Sequence, residues 1–382
     1  MLLDYESLKL VWWALIVVLW IGFALTDGFD FGIGALLPFV GKTDVERRVM
    51  INTIAPHWDG NQVWLILAAG ALFAAWPLVY GAAFSGFYFA MLIVLFALFF
   101  RPVGFDYRSK LENSRWRNAW DMSLSYAGIV PPFIFGVAVG NLFLGVPLHY
   151  DEYLRAYFDG GFFSLLRPFA LVSGLLGVAM LTMHGAAYLM VRTSSDEVVH
   201  KRARNYLSIL AIIVFVLFAL EGIWLWLGID GLQITSTIDG NAPANPTTKE
   251  VSVVAGAWLN NYVIYPLTIL APVMGLLGAF GAFIMARAEK PGMALLNTSI
   301  SVIGIICTAA FSLFPFIMPS SVNPSHSLTL WDATSSHLTL NIMLIATAIF
   351  LPTLIGYTIW CYRALWGKIT EEFITDNDHS LY

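Results

Sequence analysis

Nine apolar runs, each long enough to cross a hydrocarbon core of about 30 Å, decide what this chain can fold into. They cover residues 10–37, 61–80, 82–100, 120–144, 162–190, 206–227, 262–285, 295–318 and 338–362. Lipid offers no partner to a backbone N–H or C=O, so runs of this length read as helices that satisfy their own hydrogen bonds. A transmembrane barrel would show ten-residue alternating segments instead, and none is present. Only 12% of the residues are charged against 58% hydrophobic, and the mean hydropathy is +0.74. A soluble domain carries about twice that charge fraction. The expected fold is an all-α polytopic membrane protein with nine transmembrane helices.

Lysine and arginine orient the spans. Sixteen of the 20 fall in the connections after spans 1, 3, 5 and 7 and in the tail. The opposite side holds only Lys9, Arg155, Arg167 and Lys249. By the positive-inside rule the N-terminus is periplasmic and the C-terminus cytoplasmic. Asp4 and Glu6 outweigh Lys9 ahead of the first span, the wrong charge for a cleavable signal. Helix count suggests two four-helix bundles, over residues 1–150 and 151–320, with a peripheral ninth helix and tail over 321–382. Spans 2 and 3, joined by almost nothing around Trp76-Pro77-Leu78-Val79-Tyr80-Gly81, read as a tight antiparallel hairpin. Pro131-Pro132 should kink span 4. Cys307 and Cys361 read as small buried side chains, and no Cys/His spacing suggests a metal site.

The chemistry concentrates at the ends of the first three spans. Pro56-His57-Trp58-Asp59-Gly60-Asn61-Gln62-Val63-Trp64 puts an acid, an imidazole and two carboxamides at the head of an apolar run. Intramembrane ionisable groups are costly, so their presence points to function. Asp27 and Asp30, three apart on one helix face, read as a hydrated acid pair at the mouth of a proton or cation path, or as a polar helix end. Glycines 28, 32 and 34 leave that helix end loosely specified. Asp59 reads as a proton-path acid or an N-cap. Arg101, tight against its apolar run, suits a buried acid, with Asp106 beside it; Arg108, Lys110, Arg115 and Arg117 read as an ordinary cytoplasmic flank. Glu221 either snorkels or faces a partner. His184 reads as an interhelical hydrogen bonder rather than a haem ligand, and the polar stretch Trp331 to His337 as the cap of the ninth helix.

Residues Met50 to Trp64 closely resemble subunit II of the cytochrome bd quinol oxidases. So do Ala71 to Pro77, Phe99-Phe100-Arg101-Pro102-Val103-Gly104-Phe105-Asp106-Tyr107-Arg108, Phe314 to Ser321, Leu328 to Ser336 and the terminal Leu381-Tyr382. The resemblance implies one half of a heterodimer in the bacterial inner membrane that oxidises quinol and reduces dioxygen to water. It implies that haem b and haem d sit in the partner, subunit I, and that this chain ligates none. It implies a proton path from the cytoplasm through Asp59, with Asp27, Asp30, Asp106 and Arg101 as further members of its entrance. A structural quinone makes His57, Trp58, Asn61 and Gln62 its candidate contacts. Lipids and a small single-span subunit are further candidate partners; nucleic acid is not. The alternative from another class is a secondary transporter or ion channel with an aspartate-lined path.

Overall fold

The computed structural model describes residues 3–377 and 381–382; Met1 and Leu2, part of the segment read above for a signal, lie outside them. The chain is mostly helical. Its helices are α1 (Tyr5–Val40), α2 (Asp44–Asn52), α3 (Trp58–Ala75), α4 (Pro77–Gly86), α5 (Tyr88–Tyr107), α6 (Ser114–Leu144) and α7 (Pro168–Arg192). There follow α8 (Val198–Gly228), α9 (Asn260–Ile264), α10 (Leu270–Arg287), α11 (Pro291–Leu313), α12 (His337–Ala364) and α13 (Glu371–Asp376). Among the described residues eight helices are long and apolar enough to cross a membrane, or nine if the bent pair α3–α4 counts as one span.

Two expectations need correction. The chain is not purely helical, because three antiparallel two-stranded hairpins lie in its longer connections. They pair β1 (Leu148–Tyr150) with β2 (Ala156–Phe158), β3 (Asp230–Ile234) with β4 (Val251–Ala255), and β5 (Phe316–Met318) with β6 (Leu328–Thr329). Strand pairing satisfies backbone groups that these loops would otherwise leave open. Spans 2 and 3 form no tight hairpin. Pro77 pushes Trp76 out of the helical region (φ −130°, ψ 73°), and α4 departs from α3 at 120°. As a result α3 packs along α1, while α5 packs along α6. Helix α6 spans Ser114–Leu144 with Pro131 and Pro132 inside it, flanked by α1 and α7.

The central element is α1. Its 36 residues make a rod of about 54 Å, well beyond a hydrocarbon core of about 30 Å. It packs against α3, α6 and α7. The crossing with α7 is close because glycines meet there: a Cβ on Gly32 would stand 2.2 Å from the carbonyl oxygen of Leu181, and one on Gly185 2.7 Å from the Gly32 backbone. The glycines that seemed to loosen a helix end instead seat α1 deep among its neighbours.

Ion pairs hold the connection below α1. Thr43 and Glu46 form a capping box at the start of α2, and Glu46 also accepts from Arg202 at 2.7 Å. Arg108, 1% exposed, reaches Asp44 at 2.9 Å and also bonds Asp121; Arg47 meets Asp121 and Arg117 meets Asp44, each at 2.7 Å. Arg108 and Arg117 are therefore part of a buried-to-exposed clamp, not merely a charged flank. The backbone oxygen of Tyr382 accepts from Arg48 at 3.1 Å and from Asn52 at 2.8 Å, which brings the tail under the same turn. At the other end, buried Lys9 donates to the carbonyls of Gly240 (2.8 Å) and Trp331 (2.7 Å), tying two long loops to α1. Ser336 caps α12 by accepting from the Thr339 N–H, so the polar stretch before that helix does supply its cap.

Candidate functional site

Asp27 and Asp30 do not stand at a hydrated mouth. Helix α1 continues ten residues past Asp30, and the two acids are 0% and 2% exposed. Arg101, on α5, is 3% exposed. Its Nη2 donates to Asp27 Oδ1 at 2.6 Å and lies 3.5 Å from Asp30 Oδ2. The guanidinium also lies over the rings of Phe31 (4.7 Å) and Trp58 (5.3 Å), whose π-faces favour a cation. A charge this deep is strongly disfavoured unless it is paired, and here the pairing partners are Asp27 and Asp30.

A chain of polar side chains leads away from the pair. Asn61 Nδ2 donates to Asp30 Oδ2 at 2.8 Å. The Tyr362 hydroxyl, on α12, donates to Asn61 Oδ1 at 2.6 Å. Asn61 Nδ2 also lies 3.2 Å from His57 Nδ1, and His57 Nε2 lies 3.0 Å from the Tyr188 hydroxyl. Phe29 stacks on Tyr188 with centroids 3.9 Å apart, fixing that ring against α1. Helices α1, α3, α5, α7 and α12 thus meet at one cluster.

The cluster's charges do not balance. Two carboxylates share one guanidinium, and Asp27 Oδ2, Asp30 Oδ1 and Arg101 Nη1 are buried without a hydrogen-bond partner. Asp30 and Arg101 line a cavity of about 10 Å³ together with Phe31, Ile54, Phe105 and Leu124. That is room for about one water. The arrangement can hold a proton between two acids and exchange it with a single solvent molecule.

The other sequence candidates fall elsewhere. Asp59 and Asp106 are exposed and touch neither buried acid. Asp59 is not the N-cap of α3 either; His57 occupies that position, with no side-chain cap bond. Instead Asp59 heads an exposed stripe with Ile66, Gly70 and Phe73, at helical spacing. Asp106 continues the stripe of Phe96, Phe99 and Val103 on α5. Gln62 is half-buried and makes no hydrogen bond to the cluster. Glu221 is half-buried, with Oε1 enclosed and without a hydrogen-bond partner among the described residues. Cys307 and Cys361 are half-buried rather than buried. Tyr188, Tyr362 and Asp121 went unnoticed in the sequence, because tyrosines abound near span ends and carry no spacing signal.

Among the described residues, the two histidines buried near the acid pair, His184 and His57, are not free to ligate a haem. His184 has both ring nitrogens engaged, Nδ1 with Thr298 Oγ1 at 3.0 Å and Nε2 with the Leu25 carbonyl at 3.1 Å. This is the interhelical bond expected of it. His57 is engaged at both nitrogens as well. Among the described residues no group of three or more His, Cys, Asp or Glu could hold a metal ion.

The fold defines a polytopic membrane protein with a buried acid pair inside it, and similarity to known proteins makes this specific. The model of the family "Cytochrome bd terminal oxidase subunit II" matches residues 8–365, and the chain belongs to that family. It is 52% identical over 381 residues to cytochrome bd-I ubiquinol oxidase subunit 2 of Escherichia coli (strain K12), covering 100% of both chains. It is 31% identical to cytochrome bd ubiquinol oxidase subunit 2 of Bacillus subtilis (strain 168), covering 96% of this chain and 98% of that one. A chain in the structure of bd oxidase from Geobacillus thermodenitrificans shares the fold, with a TM-score of 0.65 at 14% identity over 95% of this chain and 97% of that chain. The transporter alternative has no such support.

Proposed function

We propose that this chain is the haem-free subunit of a quinol oxidase and that it conducts cytoplasmic protons toward a partner subunit that reduces dioxygen to water. The observation that carries this is the buried Asp27–Arg101–Asp30 triad with its unbalanced charge, unpartnered oxygens and water-sized cavity. A structural ion pair needs one acid for one arginine. A second acid in the same pocket makes a proton the natural neutralising partner. Asp59 and Asp106, on exposed stripes of α3 and α5, lie on the face that we assign to the partner, and there they supply protons from the cytoplasmic side. Haem b and haem d, held by that partner, supply the oxygen chemistry.

Four further features belong to the same proposal. Helices α1, α3, α5 and α6 form one four-helix group, α7, α8, α10 and α11 a second, and α12 is peripheral. The membrane is the bacterial inner membrane, with the N-terminus periplasmic. A structural quinone would contact Trp58 and Gln62, which are half-buried, rather than His57 or Asn61, whose polar atoms are already bonded within the chain. Lipid and a small single-span subunit complete the proposed surroundings.

Purification through a tag on this chain should bring down haem absorption bands, and His184→Ala should leave the haem content of the complex near that of wild type. A colourless preparation, active alone in an ion-flux assay, would restore the transporter class; loss of one haem band in an assembled His184→Ala complex would give this chain a ligand. Reporter fusions should read cytoplasmic at Arg115, Arg202 and the C-terminus, and periplasmic at Tyr153, Asn245 and Asn323. A periplasmic C-terminus would overturn the topology.

A further inference from the structure

We infer that Tyr362, on the peripheral helix α12, is a positioning residue that sets the tautomer of His57 and the hydrogen-bonding state of Asp30 through the side-chain amide of Asn61. An amide has one acceptor end and one donor end, so its orientation dictates what its neighbours can be. The Tyr362 hydroxyl donates to Asn61 Oδ1 at 2.6 Å, its one acceptor among the described residues. That contact turns the NH₂ group toward Asp30 Oδ2 (2.8 Å) and His57 Nδ1 (3.2 Å), one hydrogen for each. His57 Nδ1 must then be bare. The imidazole is neutral with its hydrogen on Nε2, which donates to the Tyr188 hydroxyl at 3.0 Å.

The opposite amide orientation would define a different state. Its oxygen would face Asp30 and His57, accepting from a protonated carboxyl and from an Nδ1–H. The half-buried Tyr362 hydroxyl would then lose its acceptor on Asn61, which disfavours that state. Asn61 is thus a two-position element whose setting tracks the proton on Asp30. The bias comes from the least buried of the membrane-spanning helices among the described residues: α12 leaves a crevice of about 580 Å³ beside Thr26 of α1, and Tyr362 lines it. Because Asn itself does not pass a proton readily, its role is to orient. The consequence for turnover rests on the proton-conducting function proposed above, whereas the tautomer does not.

The test is solid-state NMR of the whole complex with isotope-labelled histidine nitrogens, the His57 signal being identified by its loss in His57→Gln. Resting wild type should show His57 neutral, bare at Nδ1 and protonated at Nε2. Tyr362→Phe keeps the ring and removes the hydroxyl; the ratio of bare to protonated Nδ1 should fall at least about tenfold, a bias of roughly 1.4 kcal/mol. Quinol-oxidase kcat should fall several-fold in the same variant with KM unchanged. A protonated Nδ1 in wild type, or a wild-type tautomer ratio in Tyr362→Phe, overturns the positioning role. If the tautomer shifts as expected while Asp30→Asn turns over normally, the proton path fails and the positioning of His57 stands.

Discussion

Replacing Arg101 by Leu should cost the complex about 3–5 kcal/mol of stability, enough to suppress its assembly in the membrane. The side chain is 3% exposed and faces two carboxylates that are 0% and 2% exposed. Without it, both acids are left in a pocket where, among the described residues, Asn61 is the remaining side-chain donor. The ring faces of Phe31 and Trp58, which suit a cation, gain nothing from a second apolar group and add no hydrogen bond. The loss should be partly recovered when Asp27→Asn is added, because the second change removes the charge that Arg101 had paired. The checks are the yield of this chain in membranes and the melting temperature of the purified complex for the single and double variants. A single variant that assembles and melts as wild type would mean that the acids are already neutral and unpaired.

Much of this fold was legible in the sequence because lipid imposes such simple demands. Apolar run length located the spans, and the excess of Lys and Arg in alternate connections gave an orientation that fusions can check. The bend at Trp76 was written as Pro77, yet it was read as a turn between two spans rather than a break that creates a third helix. Hydropathy measures composition and is blind to direction. The site was half legible. Asp27, Asp30, Arg101, His57 and Asn61 all stood out as polar groups where apolar ones were due, and the structure gathers them. Asp59 and Asp106 looked equivalent to them in sequence and are not, because helix rotation puts them on the opposite, exposed faces of α3 and α5. Tyr188 and Tyr362 were invisible for the opposite reason. Each lies far along the chain from the acids, and only tertiary packing brings their hydroxyls to His57 and Asn61.

Turnover should collapse, with the complex intact, when the second acid loses its proton site. Asp30→Asn keeps the shape of the side chain and leaves Asp27 and Arg101 as a balanced pair 2.6 Å apart. Stability should therefore hold, since one uncompensated charge has gone. An amide cannot take up and release a proton, so any path through this carboxyl is interrupted. Asp59→Asn, on the exposed stripe, should slow turnover by a similar factor without touching the buried cluster. Because Asp59 makes no cap bond, a loss there cannot be ascribed to an unravelled helix start. Asp59→Glu, which keeps an ionisable group, should retain most of the activity. The deciding measurement is quinol-dependent oxygen uptake by the purified Asp30→Asn complex, normalised to haem d. A fall of at least about tenfold, a barrier increase of roughly 1.4 kcal/mol, with unchanged haem spectra is the expected result; oxygen uptake near that of wild type would contradict the assignment of the buried acid pair to proton conduction.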